Sequence, residues 1–164
     1  MIPIKTHLED FVRNLYLKIG ISKPSEIDIN VIAQTLGINL YYGNTTFIFR
    51  NNIFLQRSFP QQEWIDFGHE LCHYLRHSGQ QITMAPMFID LQEWQANHFA
   101  YHFCVPTFML DELEEVTVYE IMNLFNVDEK FAEKRLEMYK SKNYWRMQYG
   151  KRKNKQNYIN SSLL

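Results

Sequence analysis

Apolar side chains recur at three- and four-residue intervals along much of this chain, which is the spacing of a helix with one face in a protein core. Residues 7–19 show this spacing and end at Gly20, and Asp28 is a typical N-cap for a shorter segment that stops at Gly37. Three later regions have the same spacing: about 60–77, about 88–103, and about 117–140, where Asn126-Val127 separates two helices. The pattern therefore predicts a mostly helical chain with a helix pair near its C-terminal end.

The spacing changes between the second and third predicted helices. Short runs rich in β-branched and aromatic residues occupy Ile38–Tyr42, Thr45–Arg50 and Ile53–Gln56. The pairs Gly43-Asn44 and Asn51-Asn52 between these runs are typical of tight turns, so the region predicts a small antiparallel sheet. We therefore expect an α+β fold in which this sheet lies beside the helix at 60–77.

That helix carries the sequence H-E-L-C-H at residues 69–73. Two histidines four residues apart lie on one face of a helix, about 5–6 Å apart at Cβ, so the imidazoles of His69 and His73 can reach the same metal ion. Glu70 lies beside that ion, where a carboxylate can act as a base toward metal-bound water. Pro60 before the motif and Gly79 after it suit the two ends of an amphipathic helix. These residues are the first candidates for a metal-dependent active site.

A catalytic zinc ion needs a third protein ligand and an open position for water. Our candidate for the third ligand is Glu93, in the helix predicted at 88–103. Asn97 follows one turn later on the same face, where its side chain can accept a hydrogen bond from the other ring nitrogen of a ligand histidine. The small residues Ala96 and Ala100 would let the two helices approach closely. The sequence thus predicts a site for one Zn²⁺, although nitrogen and oxygen ligands also accept other divalent ions.

These motifs together resemble the ImmA/IrrE-type metallopeptidase family. The resemblance rests on the run Asp66 to Tyr74, on Glu93-x-x-Ala96-Asn97-x-Phe99-Ala100 followed by Val105-Pro106, and on the upstream segment Ile29 to Leu40. It covers about residues 25–110 well and the remainder loosely, and its specificity lies in the order and spacing of the pieces. Cys72 departs from the pattern, since these proteins commonly have glycine there, and a thiol near zinc could compete for the metal or be oxidised.

The resemblance implies a zincin-like metallopeptidase domain that acts as an intracellular zinc endopeptidase. Such proteins are often carried by phages and mobile elements, and their known targets are helix-turn-helix repressors, whose cleavage releases the silenced genes. By position, the metal ligands fall on His69, His73 and Glu93, and the general base on Glu70. Zinc can lower the pKa of bound water from 15.7 to about 7, and the base would take the water's proton and return it to the leaving amine.

The tetrahedral intermediate of peptide hydrolysis usually needs a further hydrogen-bond donor for its oxyanion. The sequence offers four candidates without choosing among them: His77, Tyr74, Tyr101 and His102. His77 follows His69 by two helical turns, which is about 12 Å at Cα and too far for a shared ion. A role at the rim of the site or in contact with substrate suits His77 better.

Length and composition fit one compact domain. The chain has 164 residues, of which 46% are hydrophobic, and this is enough for a single core. No run approaches the roughly eighteen apolar residues of a membrane span, and the N-terminus lacks the pattern of a signal peptide, so we expect a cytoplasmic protein without membrane contact. In that reducing compartment Cys72 and Cys104 should remain thiols.

Charge is unevenly distributed along the chain. The formal net charge is −1, yet residues 146–164 hold five basic residues and no acidic one. These residues also have few apolar side chains, so we expect a disordered basic tail after a single domain of residues 1–145.

Two other classes of function remain open from the sequence. A module that binds a repressor without cleaving it would keep the fold but would not need the base Glu70. A DNA-binding regulator would use the helix pair at 117–140 and the basic tail. The second helix of that pair carries four acidic residues, Asp128, Glu129, Glu133 and Glu137. Because acidic side chains repel the DNA backbone, direct nucleic-acid binding is not expected.

Overall fold

The computed structural model describes residues 5–76 and 85–142. Its helices are α1 (His7–Ile19), α2 (Ile29–Thr35), α3 (Pro60–Arg76), α4 (Pro86–Cys104), α5 (Thr107–Leu110), α6 (Val118–Phe125) and α7 (129–142). Its strands are β1 (Asn39–Gly43), β2 (Phe47–Phe49) and β3 (Asn52–Gln56). The prediction of a mostly helical α+β fold is confirmed. His77 and the basic tail at 146–164 lie outside the described residues.

The ends of the first helices follow from local chemistry. Thr6 and Glu9 form a capping box, in which each side chain accepts a hydrogen bond from the other's backbone N–H, and Gly20 ends α1 with φ of +87°. The carboxylate of Asp28 accepts hydrogen bonds from the backbone N–H groups of Asn30 and Val31, which starts α2. Both helix starts were therefore readable from single residues.

The sheet is mixed, so the prediction of an antiparallel sheet was wrong. The strand order is β1-β3-β2: β3 pairs in antiparallel fashion with β2 but in parallel with β1. Ile53 and Leu55 of β3 are fully buried, and a strand that buries this much apolar surface stabilises the sheet most at its centre. The chain therefore leaves β1, makes the outer strand β2, and returns between the two. The face of the sheet opposite Ile53 and Leu55 bears stacked aromatic rings. The ring centroids are 5.1 Å apart for Tyr41–Phe54 and 4.4 Å apart for Phe47–Phe54.

Helices α3 and α4 pack extensively against each other, and α1 also packs against α4. Gly68 of α3 lies in this interface, opposite Cys104, Phe103 and Ala100. The hydroxyl of Tyr16 donates a 2.9 Å hydrogen bond to the carbonyl of Phe103, which ties α1 to the C-terminal end of α4. Within the two described ranges, no helix is both long enough and apolar enough to cross a lipid bilayer.

A buried polar network joins three helices that are far apart in sequence. Arg135 of α7 is only 1% exposed, and its guanidinium donates to the carbonyl of Val105 (3.0 Å) and to the hydroxyl of Thr107 (2.8 Å). Thr107 in turn donates to the carboxylate of Glu9 (2.9 Å), and Lys142 forms an ion pair with the same carboxylate. Burial lowers the pKa of Arg135 to about 10, so it remains charged at neutral pH. The network holds α7 against the start of α1 and α5.

Candidate metal centre

Helices α3 and α4 bring together three side chains that can bind a metal ion: His69, His73 and Glu93. The Nε2 atoms of the two histidines are 3.2 Å apart. One carboxylate oxygen of Glu93 lies 3.1 Å from His69 Nε2, and the other lies 3.3 Å from His73 Nε2. For metal–ligand bonds of about 2.1 Å, neighbouring ligand atoms of a tetrahedral zinc ion are about 3.4 Å apart. The spacing of the three side chains therefore fits one small cation.

Asn97 determines which way the lone pair of His69 points. Its side-chain oxygen lies 2.9 Å from His69 Nδ1, so Nδ1 carries the proton that is donated to it. In the neutral ring Nε2 then carries a lone pair, and this lone pair is directed toward His73 and the carboxylate of Glu93. Electron-rich atoms that converge in this way repel one another unless a cation lies between them. Zinc, with two imidazoles and a carboxylate, is a common solution in proteins.

Glu70 lies next to this cluster in a different environment from Glu93. Glu70 is only 8% exposed, and burial raises its pKa to about 7. The nearby ring of His69 lowers the pKa of Glu70, whereas the carboxylates of Glu93 and Asp66 raise it. A partly desolvated carboxylate beside a metal site is the usual arrangement of a general base.

Asp66 is a further acidic residue beside the site, and the sequence motifs give it no separate role. It precedes Glu70 by one helical turn, and its carboxylate accepts hydrogen bonds from Gln62 (2.7 Å) and Thr46 (3.3 Å). The bond to Thr46 links α3 to the loop before β2. The signal in the sequence was the i, i+4 pair of acids on one face of α3.

The thiol of Cys72 is not part of the metal-binding cluster that the described residues form. Its Sγ lies 3.9 Å from the backbone carbonyl of Gln95, between α3 and α4, and burial raises its pKa to about 12. A thiol that stays protonated is a poor metal ligand and a poor nucleophile. Cys104 is buried as well, and neither cysteine forms a disulfide with a described residue.

The remaining site candidates are dispersed in the structure. The hydroxyl of Tyr74 donates to the carbonyl of Leu36 at 3.3 Å, and the ring of Tyr101 stacks on Phe131 with centroids 4.3 Å apart. His102 is buried beside His98 and lines a separate cavity. His77 stays a prediction, because it lies outside the described part of the chain. The structure thus brings His69, Glu70, His73, Glu93 and Asn97 together, and it places Tyr74, Tyr101 and His102 in other contacts.

Comparison with known proteins finds similarity across this whole region. The model of the family Peptidase_M78, described as the IrrE N-terminal-like domain, matches residues 25–137. In Bacillus subtilis (strain 168), the phage-like element PBSX protein XkdA is 40% identical over 145 residues, covering 82% of this chain and 73% of that protein. The uncharacterized protein YqaB of the same strain is 39% identical over 145 residues, covering 82% of this chain and 84% of that protein. The family match includes both helices that carry the cluster.

Proposed function

Because this chain belongs to the Peptidase_M78 family, the family that its motifs resemble, we propose that it is a zinc-dependent endopeptidase with a zincin-like active site. The ligands in this proposal are His69, His73 and Glu93, and the catalytic base is Glu70. The observation that carries the proposal is the convergence of two imidazole nitrogens and two carboxylate oxygens within 3.1–3.3 Å. One divalent cation can accept electron pairs from all of these atoms together.

The residues around the cluster have separate tasks in this proposal. When bound, zinc would supply an acidified water and would polarise the carbonyl of the scissile peptide bond. Glu70 would take a proton from the attacking water and return it to the leaving amine, and its low exposure would keep solvent from competing for the proton. Asn97 holds the tautomer and the ring orientation of His69. Asp66 places negative charge one turn away, which favours the protonated form of Glu70 after the first transfer.

We further propose that the substrate is a helix-turn-helix transcriptional repressor and that its cleavage releases phage or mobile-element genes. The resemblance of the motifs to ImmA/IrrE-type proteins supports this proposal, and so does the 40% identity to a protein named for a phage-like element. Both β1 and β2 are outer strands of the sheet next to α3, so each has an edge to which an extended peptide can add.

The test is incubation of the purified full chain with a repressor encoded in the same genetic neighbourhood. We expect the zinc-loaded wild type to cut the repressor, and Glu70→Gln to bind the same amount of zinc but to cut at least about 100-fold more slowly, as is typical for loss of a general base. Glu133→Gln makes the same chemical change on the exposed face of α7 and should cleave normally. Glu93→Gln should lose both zinc, measured by elemental analysis, and cleavage.

Other outcomes of this experiment select the alternatives. If wild type and Glu70→Gln both bind the repressor and neither cleaves it with zinc present, the chain is a binding module. If the chain instead binds DNA in a salt-sensitive manner that is lost on deletion of residues 146–164, it is a DNA-binding regulator.

A further inference from the structure

A second cavity, of about 660 Å³, opens on a neighbouring face of α4. Its described walls come from α1, α3, α4 and α7, and the polar residues among them include His7, Arg76, His98, His102 and Lys142. No described lining residue is an aspartate or a glutamate. The described part of the lining therefore presents hydrogen-bond donors and positive charge, and no carboxylate belongs to it.

His102 is the residue that indicates a ligand. It is 8% exposed, and its Nδ1 is fully buried without a hydrogen-bond partner among residues 5–76 and 85–142. The ring of His98 lies 5.0 Å away between centroids, and the charge of Arg135 acts on His102 as well. Buried polar atoms in native proteins nearly always have a partner. A polar side chain left in this state at the wall of a cavity suggests that a bound molecule supplies the partner.

The electrostatic environment favours a negative ligand. Burial lowers the pKa of both His98 and His102, and the buried guanidinium of Arg135 lowers both further. Lys142 is paired with Glu9, which reduces its contribution. Arg76 contacts the ring of Phe11 through its guanidinium face, 5.5 Å from the centroid, and no described residue accepts a hydrogen bond from it. Stacking of this kind leaves the N–H groups at the edge of the guanidinium available to an anion.

One wall of the cavity offers a flat surface. The rings of Trp94 and His98 are stacked, with centroids 5.2 Å apart and planes within 7° of parallel. Trp94 is 62% exposed, so much of the indole remains open to a second ring. Leu8 and Met138 add apolar lining. A ligand that used all of these groups would combine a negative charge with a planar ring.

We propose that this cavity binds a small organic anion, namely a planar ring that carries a phosphate or carboxylate group. The anionic group accepts hydrogen bonds from Arg76 and from a ring N–H of His102, and the planar ring lies against Trp94. A phosphate group and a carboxylate group can both accept these hydrogen bonds. The site differs from the proposed metal centre in every residue, and binding is measured without any peptide cleavage, so its failure would not affect the proposed function.

The experiment titrates the full chain, zinc-loaded and after zinc removal, with adenosine monophosphate, benzoate, inorganic phosphate and neutral adenosine. Calorimetry gives the Kd, and NMR of the histidine rings locates the site. We expect either adenosine monophosphate or benzoate to bind saturably and to shift the ring signals of His98 and His102, in both metal states. Inorganic phosphate should bind about tenfold more weakly than the preferred ring-bearing anion, and adenosine should not bind. The preferred probe distinguishes a phosphate ligand from a carboxylate.

Arg76→Gln should raise the Kd of the preferred anion about tenfold, since it removes a charged hydrogen bond. Arg13→Gln, the same change at an exposed position of α1 outside the cavity, should leave the Kd unchanged. His7→Gln is a second variant in case Arg76→Gln does not fold. It should raise the Kd of the preferred anion by a smaller factor than Arg76→Gln. Three results would overturn the proposal: no saturable binding by any probe, shifts confined to His69 and His73, or a Kd unaffected by the variants at the cavity.

Discussion

The close approach of α3 to α4 at Gly68 permits a sharp test of how the candidate ligands are held in position. A Cβ at Gly68 would lie 2.8 Å from Cys104 Sγ, 3.3 Å from Phe103 Cδ1 and 3.6 Å from the Cα of Ala100. The first of these distances is 0.6 Å short of the 3.4 Å at which ordinary contacts begin. Cys104 is fully buried, and its thiol contacts the carbonyl of Trp64 at 3.5 Å. Gly68→Ala therefore has to displace Cys104 or separate the helices.

Two opposing energies make the single substitution a weak test. Overpacking a buried position costs about 1–3 kcal/mol, whereas replacing glycine by alanine inside a helix gains about 1 kcal/mol. Their sum is about 0–2 kcal/mol of destabilisation, which overlaps with no effect. Cys104→Ala removes the nearest obstructing atom, so Gly68→Ala in that background should keep the helix gain without most of the overlap. We expect the free energy of unfolding of the double variant to be about 1–3 kcal/mol higher than the value obtained by adding the effects of the two single substitutions.

Urea unfolding of the zinc-free proteins, followed by circular dichroism, measures this coupling, and a competition assay measures zinc affinity. Because Gly68 precedes His69, separation of the helices should weaken zinc binding in Gly68→Ala, and the double variant should recover most of it. Gly43→Ala is the control, since a Cβ there meets no atom within 4 Å. Effects that add to within about 0.5 kcal/mol would refute the packing argument.

Three further outcomes are expected. Asn97→Ala should weaken zinc binding about 10–100-fold, measured by competition with a chelator, because His69 loses the partner that fixes its tautomer; unchanged affinity would contradict this. Thr107→Val should lower the free energy of unfolding by about 1–3 kcal/mol in urea, since its hydroxyl bridges Arg135 to α1, and a neutral result would mean that water replaces the bridge. Burial and then Arg135 lower the pKa of His102 to about 3, so between about pH 6.5 and 3 the unfolded chain binds a proton that the folded chain does not. Wild-type stability should therefore fall as pH drops through that window, and His102→Gln should remove up to about 5 kcal/mol of the fall; parallel pH profiles of the two proteins would exclude this.

The sequence indicated the local parts of the candidate site well. The four-residue spacing of His69 and His73 places two imidazoles together on any helix, and the apolar pattern around them marks that helix. The approach of Glu93 is different, since it depends on the packing of α4 against α3. The need for a third ligand and the helix predicted at 88–103 made Glu93 the candidate, and the family resemblance implied the same residue. Asn97 then followed from Glu93, one turn away on the same face.

The errors and omissions concern features that no local pattern contains. Strand order depends on which strand buries most apolar surface, so turn signals at Gly43-Asn44 suggested a hairpin where the chain instead passes to an outer strand. Hydrogen bonds that run from Arg135 to Thr107 and from Thr107 to Glu9 link residues 126 positions apart, 135 − 9. In the sequence, Arg135 is one of several charged residues in its helix, and its burial follows only from how α7 packs. A buried charge of this kind is found by building the fold, not by reading the helix.

Helix α4 contributes side chains to both the candidate metal centre and the second cavity, because successive residues on a helix are rotated by about 100°. Glu93 and Asn97 face the histidines of α3, whereas Trp94 and His98, each one residue further along, face the second cavity. A ligand that moves the indole or the imidazole on one face acts on the same backbone that holds the carboxylate on the other. If the anion site and the metal site are coupled through this helix, linkage requires that zinc change the affinity for the anion by the same factor as the anion changes the affinity for zinc. Helix α4 is therefore the element through which an anion at the proposed cavity site would act on the proposed metal ligand Glu93.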